Sequence, residues 1–280
     1  MAETSNMGWR KFTHLPGLGL LLLAGNALGQ ASFSVTPTKI YFEVPEGGTG
    51  TQTLTVRNNG SEEKSYTVTF QAWERNARGE RVFYPDTGQA FSIARMLTAE
   101  PPVFNLAAGD SQVISVKLNQ ETPQRQPSLW AMLLVKELNP NRVNDATGGV
   151  RAAINVEYQL GVHVYQHLPG ISARSTDMVL DSMYYSDGKR DRIHIKFRNA
   201  GETIAEGQLK VQVFAMDTGK QIDLPIRSMT FLPNRERTIS VMLPQDLEPG
   251  DYTLTVAFDS GFQSDLVVGD LYFQVAGQSD

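Results

Sequence analysis

A chain of 280 residues, 41% hydrophobic and 20% charged, with a net charge of −5, is globular in composition and long enough to bury two cores; it is neither a disordered nor a collagen-like polymer. The acidic balance, with no basic stripe, argues against non-specific nucleic-acid binding. The absence of cysteine excludes a disulfide framework, a lipoprotein start, thiolate chemistry and a Cys-ligated metal.

In chain order, Arg10 and Lys11 precede an apolar run from Leu15 to Ala27 and the small-residue pattern Ala27-Leu28-Gly29. The run is too short to span a bilayer, so residues 1–29 read as a cleaved signal peptide, with a retained N-terminal anchor as the alternative. No later stretch is apolar for long enough to be a membrane helix, and the mature chain is expected to carry no membrane span. Beyond it lie short alternating runs broken by Gly, Pro, Asn and Asp, the pattern of an all-β sandwich and not of βαβ units. Strands are predicted over Lys39–Val44, Gln52–Asn58, Ser65–Trp73, Ser111–Leu118, Leu129–Leu138 and Val150–Val164, with an extra loop or edge strand within Asn76–Glu100. After Leu168-Pro169-Gly170 they resume over Arg192–Arg198, Gln208–Met216, Thr238–Leu243, Tyr252–Asp259 and Leu271–Val275.

Two short elements recur. Val56-Arg57-Asn58-Asn59-Gly60 is echoed by Phe197-Arg198-Asn199-Ala200-Gly201, and Ile114-Ser115-Val116-Lys117-Leu118 by Ile239-Ser240-Val241-Met242-Leu243. The Asn-x-Gly element suits a turn with positive φ, and the Ile-Ser-Val element alternates like a sandwich strand. The fold class is therefore all-β, two immunoglobulin-like β-sandwich domains in tandem, over residues 30–168 and 171–276, with a hinge at Pro169-Gly170.

Enzyme chemistry has little to stand on. His14 lies in the leader, leaving His163, His167 and His194, and there is no HExxH, GxSxG or glycine-rich phosphate loop. His163 and His167 share a strand face but sit about 13 Å apart along it, too far to grip one metal. No metal site and no cofactor are expected. Trp73 and Trp130 fall inside strand patterns, where a core role is favoured over ligand stacking.

The unusual stretch is Val150–Val164, apolar or small at every even position and about 50 Å long if fully extended. Apolar alternation by itself reads first as one face on a core. Its neighbours add Gln71-Ala72-Trp73-Glu74, Pro101-Pro102-Val103 followed by Leu106 and Gly109, and Ser128-Leu129-Trp130 running into Lys136-Glu137-Leu138-Asn139-Pro140. In order and spacing, over about Phe33 to Pro169, these pieces resemble the periplasmic pilus-assembly chaperones of the chaperone-usher type. The resemblance implies a periplasmic protein whose partners are a pilus or fimbrial subunit and an outer-membrane usher, and which donates a β-strand to the subunit's incomplete fold. It implies that Ile154, Val156 and Tyr158 face the subunit's groove, with Asn139–Gly149 as the loop before the strand. The family also anchors the subunit's terminal carboxylate with an arginine and a lysine in the cleft between the domains. Lys39 stands at the arginine's place and His163 at the lysine's. A lysine lacks the bidentate fork of arginine, and an unperturbed imidazole is mostly neutral at pH 7. Lys39 is thus expected as the main anchor and His163 as a helper that gains charge as the pH falls. The alternative is a structural or adhesive surface protein of two immunoglobulin-like modules, its strand edges covered; an enzyme comes third.

Overall fold

The computed structural model describes residues 32–85, 88–120, 127–138, 142–144, 153–155, 157–170, 176–186, 191–261 and 266–276. The expected leader, and Val156 of the expected donor strand, lie outside the described residues. In chain order the strands are β1 (Phe33–Thr36), β2 (Lys39–Glu43), β3 (Thr49–Asn58), β4 (Lys64–Arg75), β5 (Arg81–Tyr84), β6 (Leu97–Glu100), β7 (Val103–Leu106), β8 (Ser111–Asn119), β9 (Ser128–Glu137), β10 (Arg142–Asn144), β11 (Ala153–Asn155) and β12 (Gln159–His167). They continue as β13 (Met178–Tyr185), β14 (Arg192–Asn199), β15 (Ala205–Ala215), β16 (Gln221–Asp223), β17 (Arg227–Phe231), β18 (Arg235–Met242), β19 (Gly250–Asp259) and β20 (Val267–Val275).

Two sandwiches result. The first packs a sheet of order β1-β3-β8-β6 against one of order β2-β12-β9-β4-β5, with β7 also paired to β4. The second packs β13-β14-β18 against β16-β15-β19-β20, with β17 also paired to β15. Alternation explains each interior: on β8, Ile114, Val116 and Leu118 turn inward and are fully buried while Ser115 and Lys117 turn away, and β18 repeats this with Ile239 and Val241. At about 25 cal/mol per Å² of apolar surface removed from water, such a side chain contributes roughly 1.5–3 kcal/mol.

β9 departs from that rule, since its sequence SLWAMLLV is apolar throughout and is buried at nearly every position. Leu129, Ala131, Leu133 and Val135 enter the interior of the first sandwich. Trp130, Met132 and Leu134 point the other way and pack with Trp73, Phe91 and Tyr165 and with Ile204 and Leu232 of the second sandwich. A strand covered on both faces needs no polar alternation. The tryptophans are buried, as expected of core residues, but in the layer between the sandwiches.

The recurring Asn-x-Gly element has a different reason from the one expected. Neither Gly60 nor Gly201 has a positive φ. The asparagine is the functional member. Asn58 is fully buried at the end of β3, where its Nδ2 donates to the carbonyls of Glu62, Leu106 and Ala107 and its Oδ1 accepts from the Gly60 amide. Asn199, also fully buried, ends β14 and repeats the device with Thr203, Phe231 and the Gly201 amide. Each side chain satisfies backbone groups that leave the ladder where the strand ends. Gly60 is small for packing: a Cβ there would lie 3.2 Å from the Asn58 Oδ1. A second buried polar device, Lys64 Nζ against Glu137 Oε1 at 3.1 Å, joins β4 to β9, and Ser32 Oγ donates to the same carboxylate.

The expected single strand over Val150–Val164 is not continuous. β12 begins only at Gln159, Glu157 and Tyr158 are outside any strand, and β11 forms a separate two-stranded pairing with β10 in which Val143 lies opposite Ile154. The β9–β12 ladder pairs Lys136 with Gln159, and the β10–β11 ladder pairs Arg142 with Asn155, so the two partners slip by two residues between them. Asn58→Ala and Asn199→Ala should each lower the unfolding free energy by about 1–3 kcal/mol, because each strands several buried backbone groups. Denaturant titration of the purified variants checks this.

Candidate functional site: a strand border and the cleft beside it

β12 is flanked unequally. On one side β9 pairs with it over its whole length, from Gln159 opposite Lys136 to His167 opposite Ser128. On the other side β2 pairs in parallel only from Lys39 opposite His163 to Glu43 opposite His167. Among the described residues, Gln159–Val162 has no strand neighbour on that side. Backbone polarity alternates along an antiparallel strand. The Glu137 amide donates to Tyr158 O, so the even positions of β12 bond toward β9. The His163 amide donates to Thr38 O and the Val44 amide to His167 O, so the odd positions bond toward β2. It follows that Gln159 and Gly161 turn their N–H and C=O groups to the uncovered border. Tyr158, immediately before it, is 41% exposed. Val162 and Val164 belong to the interior of their own sandwich, and Leu160 packs against it.

The slot that β2 fills therefore ends at Lys39. Its ammonium forms an ion pair with Glu206 on β15 of the second sandwich, and the Tyr41 hydroxyl donates to the other oxygen of that carboxylate. Thr230 Oγ1 donates to Glu206 Oε1 at 3.1 Å. Burial alone would raise the Glu206 carboxyl; the hydrogen bonds from Lys39 and Tyr41, with the lysine charge, outweigh it and hold the group below its usual value. The same surroundings, burial first and Glu206 second, push the Tyr41 hydroxyl up. Lys39 is thus in the cleft but carries an internal partner.

His163 lies directly opposite Lys39 in the register. Its ring is 4.9 Å from Trp73 and stacks on Tyr165 at 5.8 Å. Burial pushes its pKa down to about 4, and the Arg81, Arg75 and Lys39 charges push the same way. The expected pH-dependent helper is therefore not charged between pH 5.5 and 8, and its Nε2 is buried with no hydrogen-bond partner. Sequence reasoning placed both Lys39 and His163 near one another without seeing this environment. Glu206 and Tyr41, which complete the cleft, were missed; a lone glutamate on an exposed-reading strand gave no signal. Of the expected groove-facing residues, Ile154 is on β11, Tyr158 is beside the uncovered border, and Val156 is outside the described residues.

Other contacts tie the sandwiches together. Arg235 Nε donates to Glu74 Oε1 at 2.7 Å and the Thr238 amide to Ala77 O at 2.7 Å, while Tyr84 OH, within the first sandwich, donates to the second oxygen of Glu74 at 2.8 Å. No helix among the described residues is long and apolar enough to cross a membrane.

The fold is a two-sandwich protein in which, among the described residues, β12 is left unpaired over Gln159–Val162 beside a charged cleft. Several solved structures to which its fold is similar are chaperones. They include the CsuC–CsuE chaperone–tip adhesion subunit complex from the archaic chaperone-usher Csu pili of Acinetobacter baumannii, 12% identical, covering 85% of this chain and 98% of that one with a TM-score of 0.49. They also include the E. coli chaperone DraB, 13% identical, covering 86% and 97% with a TM-score of 0.44, and the YadV chaperone, 10% identical, covering 86% and 100% with a TM-score of 0.46. No family model matches the chain, and no curated protein matches it.

An NMR titration of the His163 imidazole should give a midpoint near 4. The unfolded ring takes its proton near 6.5, so between these values the unfolded state binds more protons. The His163 contribution to stability is then constant above about pH 6.5 and is lost progressively as the pH falls toward 4.

Proposed function

We propose that the chain is a periplasmic chaperone that holds a pilus or fimbrial subunit by lending its own strand border to the subunit's incomplete fold, before an outer-membrane usher takes the subunit. The observation that carries this reading is the uncovered stretch Gln159–Val162 of β12, with β2 stopping at Lys39. A row of unpaired backbone groups is a template for a further strand. A guest strand lying there would sit in line with β2, and its end would meet Lys39. The even-numbered apolar positions ahead of β12, Ile154, Val156 and Tyr158, would fill the groove left by the guest's missing strand. Lys39 and His163 flank the point where guest and β2 abut, with Lys39 as the charged member and His163 as a neutral one.

Lys39 must exchange its internal carboxylate for that of the guest. Glu206 is therefore a competitor, and removing its charge frees the lysine. The alternative, a two-module adhesive or structural surface protein, requires covered edges, and the border of β12 speaks against it.

Co-expression with a fibre subunit and recovery of the complex tests the reading. Ile154→Asp with Val156→Asp should weaken capture about 100-fold or more, since each apolar side chain brings about 1.5–3 kcal/mol on burial. Gln159→Pro removes one border-facing N–H and leaves the bonds to β9 in place. It should weaken capture while the unfolding midpoint stays within a few degrees of the parent. Glu206→Gln should strengthen capture and Lys39→Ala weaken it. Unchanged recovery of the subunit in both strand variants would overturn the proposal.

A further inference from the structure

Three arginines converge where the β4–β5 turn meets the second sandwich, and no carboxylate among the described residues pairs with any of them. Arg75 and Arg81 stand directly opposite each other across the β4–β5 ladder. Like charges in that position repel, and a sequence ordinarily avoids them. Arg237, on β18, lies over the turn: a Cβ added at Gly79 would come within 2.8 Å of its Nε. Arg75 Nη1 donates to the carbonyl of that same Gly79 at 2.7 Å. The Thr238 amide, next to Arg237, donates to Ala77 O and fixes β18 against the turn. The glutamates nearby are already engaged: Glu74 with Arg235 and Tyr84, Glu80 with Asn76, and Glu206 with Lys39, Tyr41 and Thr230.

Donors around this cluster are also unspent. Arg75 Nε and Trp73 Nε1 are buried without a hydrogen-bond partner. The Arg75 guanidinium lies 5.6 Å over the Trp73 ring, and Trp73 is 4.9 Å from His163. A buried donor left unpaired costs about 1–3 kcal/mol, so their concentration at one place asks for an acceptor. Burial and the neighbouring Arg75 charge push the Arg237 pKa down to about 10, which reflects the same uncompensated crowding.

We propose that Arg75, Arg81 and Arg237 form a binding site for a small dianionic oxyanion of the sulfate or phosphate class, bridging the two sandwiches. Three fixed positive charges favour a doubly charged tetrahedral ligand over a lone carboxylate, which would answer only one of them; guanidinium forks match such oxygens. Lys39 and the border of β12 lie outside this site, and the test below reads it with no subunit present.

The test is thermal unfolding of the full mature chain in sodium chloride, sodium sulfate and sodium acetate at matched ionic strength, with the parent, Arg81→Ser and Arg237→Gln. Arg81 is exposed, so its replacement leaves the fold intact. Sulfate should raise the parent's midpoint saturably by at least about 3 °C over chloride, and acetate by much less. In both variants the sulfate rise should fall to the small general effect of an excluded salt. In chloride, Arg81→Ser should unfold at or above the parent's midpoint, because it removes a repulsion. An equal sulfate rise in parent and variants, a rise that grows linearly without saturating, or an equal response to acetate would overturn the proposal.

Discussion

The structure turns on a shared slot. β12 has two sides, β9 takes one completely, and β2 takes only the part of the other from Lys39 to Glu43. Backbone donors and acceptors must be paired or wetted, and among the described residues no strand pairs the stretch from Gln159 to Val162 on its β2 side. The position of Lys39 follows from this constraint. It is the first residue of β2, so the charge marks the place where the internal partner stops.

The second constraint is the double-sided burial of β9. Because Trp130, Met132 and Leu134 leave the first sandwich's interior for the layer shared with Ile204 and Leu232, the sandwiches are joined by apolar contact as well as by polar bonds. The polar bonds differ in kind. Glu74 pairs with Arg235 and Lys39 with Glu206, whereas the three arginines at the β4–β5 turn have no carboxylate partner among the described residues. One junction thus holds two matched ion pairs and an unanswered cluster of positive charge.

Much of the fold was legible because alternation is a direct consequence of the pleat. Long strands such as β3, β8, β14, β15 and β19 fell where the period-2 pattern placed them, whereas β5, β6 and β7, at four residues each, were too short to show a period. The break before β12 was invisible for a reason of parity: Ile154, Tyr158, Leu160 and Val162 are all even, so an interruption that keeps the parity leaves the pattern unbroken. The repeated Asn-x-Gly element was visible, but its cause was assigned to the glycine when Asn58 and Asn199 carry it. In the cleft, the register opposite β2 brought Lys39 and His163 together as expected. The charge state of His163 could not be read, because it depends first on burial and then on Arg81 and Arg75, more than eighty residues away in sequence.

The unequal fastening of β12 has a mechanical side. Nine paired residues bind it to β9, whereas a chain lying along Gln159–Val162 would find only the groups of Gln159 and Gly161 turned toward it. Under tension the short seam parts well before the long one. A load on any strand added along that border would therefore leave the ladder to β9 whole.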